Sequence, residues 1–496
     1  MHLSSLPSPH GIGTMGQAAR DFVDFLKESG QSVWQMLPIC PTGFGDSPYQ
    51  SPCTFAGNPY LIDLDELCKM GFLEESDYET VDWESVPECV NYGALYEKRY
   101  LILRKAAERF LSLLSETESA GLSLANEYRW FCSENAAWLS DFALFMALKE
   151  VHGGKAWYEW LAEHRNGEVR AIAWARTECA HEIEIVQIYQ FFFWKQWWEL
   201  KSYANEKGIE IVGDLPIYVP LDSVDVWAHP ELFLLDRDKM PREVAGVPPD
   251  GFTADGQLWG NPLYDWEYME QAGFDWWVNR IAYLCRVYDV LRIDHFRAFE
   301  SYYVVQSGEQ TAKNGVWRKG PGMKLFRAVE EKLGRPNIIA EDLGYLTEEV
   351  HQLLRDSGFP GMKVLEFAFD SRDSSGNVYL PHNYVRNCVA YAGTHDNNTI
   401  LGWFASLSAE DAAYVRAYLR LSDKPSDWYW EMICALWGSV ADLVIVQMQD
   451  LLGLSGEARM NTPSTLGKNW RWRIGTEQLT HELADKLRDM TILYGR

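Results

Sequence analysis

The sequence predicts a (β/α)8 barrel of the TIM type with large insertions, because of its strand pattern, its polar strand ends and its length. Short runs rich in Val, Ile and Leu alternate with helical patterns, which is typical of βαβ units and a parallel sheet. These runs stand at 33–39, 209–219, 289–296, 337–344, 362–369, 388–396 and 442–450. Most are apolar at first and polar in their second half. This pattern is expected of barrel strands whose carboxyl ends carry polar side chains that meet at one opening of the barrel.

One strand of the barrel has a much weaker pattern, and the segment 60–67 is the candidate for it. A doubly wound open sheet is the alternative fold, because it also binds ligands at the ends of its strands. A barrel needs roughly 250 residues, whereas the chain has 496. About half of the chain therefore lies in insertions.

Two segments account for most of the inserted length. Helical periodicity dominates 70–207, and the segment 220–268 is rich in Pro, Gly and Asp. Long loops in a compact domain are usually functional or disordered, and the aromatic residues of the second segment favour function. We expect a single catalytic barrel over 1–496, with a helical insertion subdomain at 70–207 and a loop-rich insertion over the active site at 220–268.

The overall charge and the aromatic content narrow the possible ligands. Asp and Glu number 71 against 45 for Lys and Arg, which gives a formal net charge of -26. Such a charge repels nucleic acid and anionic membranes, so we expect neither as a partner. The chain also holds 22 Trp, 25 Tyr and 22 Phe residues. Most of these belong in the core, but a minority are expected to serve as flat platforms for a ligand.

The cysteines and the beginning of the chain predict a cytoplasmic location. The nine cysteines are scattered and form no C-x-x-C pair, which favours free thiols in a reducing compartment. The first residues, MHLSSLPSPHGIGTMG, have neither the basic nor the apolar region of a secretory signal. No apolar stretch reaches the length of about 18 residues that crossing a bilayer requires.

Two acidic residues at strand ends are candidates for catalysis. Arg292 and Asp294 point to the same face of a strand, and the arginine is expected to lower the pKa of Asp294 and keep it ionised, as a nucleophile requires. Glu341 follows Ile338, Ile339 and Ala340, so desolvation is expected to raise its pKa to the range of a general acid. Either motif alone would more often be an ordinary strand end.

A third acid, Asp396, stands beside His395 at the end of another strand. Polar clusters that close three separate apolar strands are difficult to explain by stability, because half-buried carboxylates are costly. Two carboxyl groups about 5 to 5.5 Å apart can run a retaining displacement at a glycosidic bond. A third can hold sugar hydroxyls. This chemistry needs no metal and no cofactor, and the sequence has no metal-ligand spacing such as H-E-x-x-H.

The motifs around these acids resemble a known family over the whole chain, 4-α-glucanotransferases of the amylomaltase type, or glycoside hydrolase family 77. The resemblance rests on RIDHF at 292–296, AEDLG at 340–344, GTHDNNT at 393–399, VGDLPIYV at 212–219, GQLWGNPLY at 256–264, FGDSPYQSP at 44–52, AGNPYLIDL at 56–64, MQDLLGL at 448–454, LPSPHGIGTMG at 6–16 and RMNTPSTLGKNWRWR at 459–473. It implies that Asp294 is the nucleophile, Glu341 the acid/base and Asp396 the stabiliser of the transition state.

The same resemblance implies which residues bind the substrate. Those expected at the bond that is cleaved are Tyr60, Asp214, Arg292 and His395. Those expected to shape the acceptor side or complete the substrate site are Asp250, Phe252, Gln257, Trp259 and Asn461. No metal site and no cofactor are implied.

The resemblance implies transfer of a segment of a 1,4-α-glucan to the 4-hydroxyl of another glucan or of glucose, through a covalent glucosyl-enzyme. The expected partners are maltooligosaccharides, amylose and glycogen-derived glucans. An α-1,4-glucan hydrolase is the first alternative, because water can replace the sugar acceptor at the same intermediate. A non-catalytic glucan-binding protein is the second. The long aromatic segment 247–266 favours transfer, since it could exclude water from the acceptor side.

Overall fold

The structure is a computed structural model that describes residues 1–84, 86–115, 121–249, 253–369 and 377–496. Its strands are β1 (Val33–Gln35), β2 (Glu210–Leu215), β3 (Glu243–Val247), β4 (Gln257–Pro262), β5 (Val290–Ile293), β6 (Ser301–Gln306), β7 (Val316–Lys319), β8 (Ile338–Ala340), β9 (Gly361–Val364), β10 (Cys388–Tyr391) and β11 (Leu443–Ile445). Its longer helices are α1 (Gln17–Glu28), α2 (Leu64–Lys69), α3 (Tyr92–Ser115), α4 (Gly121–Glu134), α5 (Ala136–Val151), α6 (Ala162–Arg165), α7 (Val169–Glu178), α8 (Ala180–Glu206), α9 (Val224–Ala228), α10 (Trp266–Gln271), α11 (Asp275–Val287), α12 (Met323–Leu333), α13 (Glu348–Ser357), α14 (Ile400–Ser406), α15 (Ala409–Leu419), α16 (Trp428–Trp437), α17 (Met448–Leu451) and α18 (His481–Tyr494).

The parallel strands form two ladders that follow the order of the chain. One ladder is β1-β2-β5-β8 and the other is β9-β10-β11, and all neighbours in both are parallel. The backbone N–H of Ala340, at the end of β8, donates to the carbonyl of Pro360 at 2.9 Å. Because Pro360 immediately precedes β9, this hydrogen bond joins the two ladders.

A distinct apolar cluster shows that these strands surround one interior. Each of the seven parallel strands contributes to it, and its members are Val33, Val212, Val290, Ile339, Met362, Val364, Val389, Tyr391, Leu443 and Ile445. Side chains that alternate along several strands and meet in one cluster are the filling of a barrel. The barrel fold class that the strand pattern predicted is therefore confirmed.

The segment 60–67, the candidate for the weakest strand, is not a strand. It begins in a 3-10 helix, Pro59–Leu61, and continues into α2. The Asp63 carboxylate caps α2 by accepting a hydrogen bond from the backbone N–H of Glu66 at 2.9 Å. An acidic cap and a proline at a helix start outweigh the apolar alternation of this segment.

The segment 220–268, expected to be rich in loops, also contains regular structure. Its strands β3 and β4 pair with β6 and β7 in an antiparallel sheet of order β4-β3-β6-β7. Gly246 and Gly260 lie within these strands and weaken their sequence pattern. The partner strands come from residues 301–319, so the pairing is visible only in three dimensions.

In the described part of the chain, seven α-helices, α2 to α8, stand between β1 and β2. The last of them, α8, carries an aromatic run whose members Phe191, Phe192 and Phe193 are buried. The amide of Gln190, also buried on α8, makes hydrogen bonds of 2.7 Å and 2.9 Å with the backbone of Gly57. This contact ties the helical segment to the chain that follows β1. Among the described residues, none of the helices has the length and apolar character needed to cross a bilayer.

Replacing Gly213 of β2 with alanine is expected to destabilise the barrel. The new Cβ would lie 2.1 Å from the ring of Tyr288, which is buried, so the ring or the strand must shift. Overpacking of this kind costs about 1–3 kcal/mol, and we expect a clear fall in the thermal unfolding midpoint measured by circular dichroism.

The control is Gly93→Ala, at an exposed position of α3. Alanine is favoured over glycine within a helix by about 0.5–1 kcal/mol, so this variant is expected to unfold at the same temperature as the unmodified chain or higher. A Gly213→Ala protein as stable as the Gly93→Ala protein would contradict the close packing of β2 against Tyr288.

Candidate active site

The polar residues at the ends of β2, β5 and β8 meet because these three strands are neighbours. Asp214 of β2 is in register with Arg292 of β5. Beyond β5, the backbone N–H of Asp294 donates to the carbonyl of Leu215 at 3.0 Å. Beyond β8, the backbone N–H of Glu341 donates to the carbonyl of Ile293, also at 3.0 Å. The hydrogen-bond pattern of the barrel thus extends to both acids and places them side by side.

Arg292 connects two carboxylates at the mouth of the barrel. One of its terminal nitrogens lies 2.7 Å and 2.6 Å from the two carboxylate oxygens of Asp214 and 3.0 Å from an oxygen of Asp294. Arg292 and Asp214 are buried, whereas 28% of the Asp294 side chain is exposed. The Asp294 side chain is therefore partly open to the mouth of the barrel, and its contact with the buried Arg292 fixes its orientation.

The pKa of Asp294 differs from the expectation that Arg292 would lower it overall. Burial raises the pKa of Asp294 to about 6, and the attraction of Arg292 offsets only part of this rise. The reason is that Arg292 is shared. Its shorter contacts are with Asp214, whose negative charge also repels Asp294.

Glu341 is more deeply buried than Asp294 and holds its proton more firmly. It is 7% exposed, and burial raises its pKa to about 8, with the neighbouring Asp294 adding to the rise. The backbone N–H groups of His295 and Leu343 each donate to one of its carboxyl oxygens at 2.7 Å. They fix the carboxyl group and moderate the rise in its pKa. The raised pKa that the apolar approach predicted is confirmed, and near neutral pH the proton of the pair resides on Glu341.

His295 makes this arrangement possible through its backbone. Its φ of 51° and ψ of 46° lie in the left-handed region, which non-glycine residues seldom adopt. The turn directs the N–H of His295 towards Glu341, while its ring lies 4.8 Å from the ring of Trp259 at an angle of 79°. No residue pattern in the sequence marks His295, because a backbone conformation leaves no trace in the residue types.

Asp396 occupies the opposite side of the site, in the loop after β10. The side-chain amide of Asn461 donates to one of its carboxylate oxygens at 2.6 Å, and the ring of His395 lies 3.3 Å from the same oxygen. Arg459 donates to the backbone carbonyl of Asp396. About half of the Asp396 side chain is exposed. The predicted residues His395, Asp396 and Asn461 thus form one hydrogen-bonded group.

Tyr49 also belongs to the site, although it was not among the residues predicted from the sequence. Its hydroxyl donates to Asp214 at 2.7 Å, and its ring stacks on that of His395 with centroids 5.1 Å apart and an angle of 20°. The ring of Trp470 lies 5.8 Å from both. Tyr49 therefore links the Arg292 group to the Asp396 group. Its motif, FGDSPYQSP, was visible in the sequence, but Tyr49 was not among the residues expected to bind the substrate.

The other predicted residues fall into three places. Trp259 and Gln257 lie together on β4, where the indole N–H donates to the Gln257 amide oxygen at 3.1 Å. The ring of Tyr60 packs against those of Tyr92 and Tyr100, with centroids 6.4 Å and 5.5 Å away. These are contacts with α3, and the described contacts of the three acids do not include Tyr60. Two further predicted residues, Asp250 and Phe252, lie outside the described residues.

The described part of the chain contains no group of three or more His, Cys, Asp or Glu side chains arranged to hold a metal ion. The nine cysteines are free thiols. The described side chains of the site include carboxyl groups, the Arg292 guanidinium and aromatic rings.

A barrel that places a protonated acid beside a more exposed carboxylate at the ends of its strands belongs to the class of enzymes that use carboxyl groups on glycosidic bonds. The family model for 4-alpha-glucanotransferases, glycoside hydrolase family 77, matches residues 1–478, and the chain belongs to this family. Its activity is the transfer of glucan segments, and neither hydrolysis nor binding alone is favoured.

Individual relatives agree with the family over the full length. The chain is 46% identical over 498 residues to a 4-alpha-glucanotransferase from Clostridium butyricum, with 100% of both chains covered. It is 43% identical over 503 residues to one from Thermus thermophilus, covering 99% of this chain and 97% of the relative. The solved amylomaltase from Streptococcus agalactiae, in complex with acarbose, superimposes with a TM-score of 0.95 at 47% identity, covering 100% of this chain and 98% of that chain.

The contacts of Tyr49 predict the consequence of its mutation. Tyr49→Phe removes a hydrogen bond to the buried Asp214 carboxylate, a loss of about 1.5–3 kcal/mol, so we expect kcat/KM for maltotriose to fall roughly tenfold or more. Tyr49→Ala also removes the ring that stacks on His395 and should reduce kcat/KM further. Tyr78→Phe is the matched control, because it removes a hydroxyl that donates to the Asp65 carboxylate at 2.8 Å, and we expect its kcat/KM to stay within about twofold of the unmodified chain. A larger loss for Tyr78→Phe than for Tyr49→Phe would contradict the place of Tyr49 in the site.

Proposed function

We propose that the chain transfers glucan segments by a retaining double displacement in which Asp294 and Glu341 act as a pair. The Asp294 carboxylate attacks the anomeric carbon, and Glu341 gives its proton to the glycosidic oxygen as the bond breaks. The aglycone leaves and a covalent glucosyl-enzyme forms. Glu341, now a carboxylate, then removes the proton of an acceptor 4-hydroxyl. That oxygen attacks the anomeric carbon and releases Asp294, which restores the starting state.

The observation that carries this proposal is the order of the two pKa values. The pKa of Glu341 is raised to about 8 and that of Asp294 to about 6, so at neutral pH the first is mainly protonated and the second mainly ionised. Each form is the one that its role requires. Burial is the largest cause of the rise in pKa at both acids. Arg292, 3.0 Å from Asp294, offsets part of the rise there, whereas the charge of Asp294 adds to the rise at Glu341.

Asp396 is proposed to hold sugar hydroxyls as the ring flattens towards the oxocarbenium transition state. Asn461 orients its carboxylate, and half of the side chain remains open to a ligand. His395 and Arg292 are proposed to contact the sugar at the cleaved bond, with Asp214 as the partner that orients Arg292. These contacts would strengthen as positive charge develops at the anomeric carbon.

The proposed substrates are maltooligosaccharides, amylose and glycogen-derived 1,4-α-glucans, with glucose also serving as acceptor. The acarbose complex of the Streptococcus agalactiae amylomaltase supports this substrate class. Trp259 and Gln257 on β4 are proposed to line the acceptor side together with Asp250 and Phe252, and Tyr60 is proposed to contact the substrate at the cleaved bond.

The domain arrangement and the cellular compartment of the chain are also proposed. We propose that 70–207 is an insertion subdomain and that 220–268 covers the active site of a single catalytic unit over 1–496. The free cysteines support a reducing environment such as the cytoplasm.

Asp294→Asn is expected to reduce turnover of maltotriose by roughly a thousandfold or more, because an amide cannot attack the anomeric carbon. Glu341→Gln should have a comparable effect, because the glutamine has no proton of suitable acidity to donate. Chromatography of the products is the measurement. The unmodified chain should yield glucose together with oligosaccharides longer than maltotriose, which is the sign of transfer.

Asp423→Asn, at a fully exposed carboxylate, serves as the control for the loss of one acidic group and should retain full activity. Glucose and maltose without any longer product from the unmodified chain would overturn transfer as the main reaction. Unchanged turnover by Asp294→Asn would instead overturn the role of that residue while leaving the family activity intact.

The two pKa values predict a bell-shaped dependence of kcat/KM on pH. As pH falls through about 6, Asp294 becomes protonated and the nucleophile is lost. As pH rises through about 8, Glu341 loses its proton and the general acid is lost. The maximum should therefore lie between these values in a profile measured with maltotriose at constant ionic strength.

The Asp214→Asn variant tests why kcat/KM falls at low pH. Asp214 repels Asp294 and occupies Arg292, so its neutral variant should lower the pKa of Asp294 and move the acidic limb to lower pH. The basic limb should move much less. A shift of the acidic limb to higher pH would contradict the account of the shared arginine.

A further inference from the structure

Two buried acids stand on either side of the loop that carries Asp396. This loop, residues 393–399, follows β10 and is called the Asp396 loop below. Glu366 follows β9 and Asp450 follows β11, and β10 lies between these two strands in their ladder. Glu366 is 6% exposed and Asp450 is 1% exposed. Neither acid belongs to the group of carboxylates around Arg292.

Each of the two acids has a carboxyl oxygen without a hydrogen-bond partner. Within the part of the chain that the structure describes, these atoms are Oε1 of Glu366 and Oδ2 of Asp450. Buried polar atoms are nearly always paired, because an unpaired one costs stability. A fold that keeps two such acids close together therefore indicates a purpose other than stability.

Glu366 packs directly against the Asp396 loop. A Cβ added to Gly393, the first residue of the loop, would lie 3.1 Å from its Oε1, which is a tight contact. The backbone N–H of Glu366 donates to the carbonyl of Ala392, just before the loop, at 3.2 Å. The side chain of Asn397, inside the loop, also contacts the Glu366 carboxyl group.

Asn397 links Glu366 to the backbone of Asp396. The side-chain oxygen of Asn397 accepts hydrogen bonds from the backbone N–H and from the hydroxyl of Thr394, both at 2.9 Å. The Thr394 hydroxyl oxygen in turn accepts a hydrogen bond from the backbone N–H of Asp396 at 3.3 Å. A continuous series of polar contacts therefore runs from Glu366 through Asn397 and Thr394 to Asp396.

Asp450 holds the other end of the Asp396 loop. Its Oδ1 accepts a hydrogen bond from the backbone N–H of Ile400 at 2.7 Å, and Ile400 is the first residue of α14. Asp450 therefore fixes the point at which the loop becomes a helix. Glu366 supports the beginning and the middle of the same loop.

The surroundings of Glu366 favour its protonated form. Burial raises the pKa of Glu366 well above its ordinary range, and the charge of Asp450 adds to this rise. Arg459 and Asn397 act in the opposite direction and offset part of the rise. Burial also raises the pKa of Asp450, to about 7, and the backbone N–H of Ile400 offsets part of that rise. Near neutral pH the two acids therefore hold at least one proton, and it resides on Glu366.

We propose that Glu366 is a positioning residue of the active site, which holds the Asp396 loop in place as a neutral carboxylic acid. The proposal rests on the proposed role of Asp396 as a stabiliser of the transition state. A carboxylate stabilises developing positive charge only from a fixed position, so a small displacement of the loop weakens its effect. The neutral form of Glu366 also avoids a second negative charge beside Asp450.

The variants Glu366→Leu and Glu366→Gln separate this role from a structural one. Leucine removes the contact with Asn397 and also the unpaired oxygen, so we expect the unfolding temperature to stay the same or rise. Its kcat for maltotriose should nevertheless fall roughly tenfold or more, with KM within about twofold, because Asp396 acts in the transition state. Glutamine resembles the neutral acid in shape and hydrogen bonding. This matched control should keep kcat within about twofold near neutral pH.

Three results would contradict the proposal in different ways. An unchanged kcat in Glu366→Leu would overturn the positioning role. A parallel loss of stability and of kcat, with a raised KM, would assign Glu366 a structural role instead. An equal loss of kcat in Glu366→Gln and Glu366→Leu would show that a charge is needed and would overturn the neutral acid. Failure of the proposed function is a separate result, because it would appear as an unchanged kcat in Asp396→Asn.

Asn397→Ala tests the series of contacts by interrupting it inside the loop. We expect its kcat to fall by a factor similar to that of Glu366→Leu, and the double variant should lose little more than either single variant. Residues that act through one path have effects that are not additive. Losses that multiply in the double variant would overturn the link through Asn397.

Infrared spectroscopy tests the protonation of Glu366 without the leucine variant, and it remains decisive if that variant folds poorly. The difference spectrum between the unmodified chain and Glu366→Gln is recorded near neutral pH. We expect the carbonyl stretching band of a protonated carboxylic acid in the unmodified chain and its loss in the variant. A difference spectrum that contains only carboxylate bands would overturn the proposal.

Discussion

The position of Arg292 between Asp214 and Asp294 is the interaction on which the rest of the site depends. Its guanidinium is buried with Asp214, at distances of 2.6 Å and 2.7 Å, and reaches Asp294 at 3.0 Å. A buried cation is stable only when it is paired, so the arginine cannot move without leaving a charge uncompensated. Because Asp214 and Arg292 are in register on adjacent strands, the barrel itself determines this geometry.

The surroundings of Asp294 and Glu341 explain why two similar acids differ in pKa. Asp294 and Glu341 are neighbours, and each repels the charge of the other. Glu341 is enclosed by an apolar strand end and fixed by two backbone N–H groups, whereas Asp294 projects into the mouth. Burial raises the pKa of both acids, and the charge of Asp294 adds to the rise at Glu341, whose pKa reaches about 8 against about 6 for Asp294. One proton is thereby placed on Glu341, the acid that is proposed to donate it.

The aromatic residues serve two purposes in this chain. In the core, α8 presents Phe191, Phe192 and Phe193 to the barrel and to the other helices. At the active site, the ring of Trp259 lies against His295, and that of Trp470 lies beside Tyr49 and His395. Residue type alone does not separate these uses, because tryptophan serves both as packing material and as a ligand platform. Exposure and neighbours decide which use applies.

The strand pattern and the position of the three acids at strand ends were predictable from the sequence because both depend on local patterns. Apolar runs that end in polar residues marked the parallel strands, and the apolar approach to Glu341 indicated its raised pKa. Tertiary structure alone decided the shared use of Arg292, the choice of Tyr49 over Tyr60 as the neighbour of the acids, and the left-handed turn at His295. These features join residues that are far apart in the chain or depend on backbone angles, and side-chain periodicity carries no information about either.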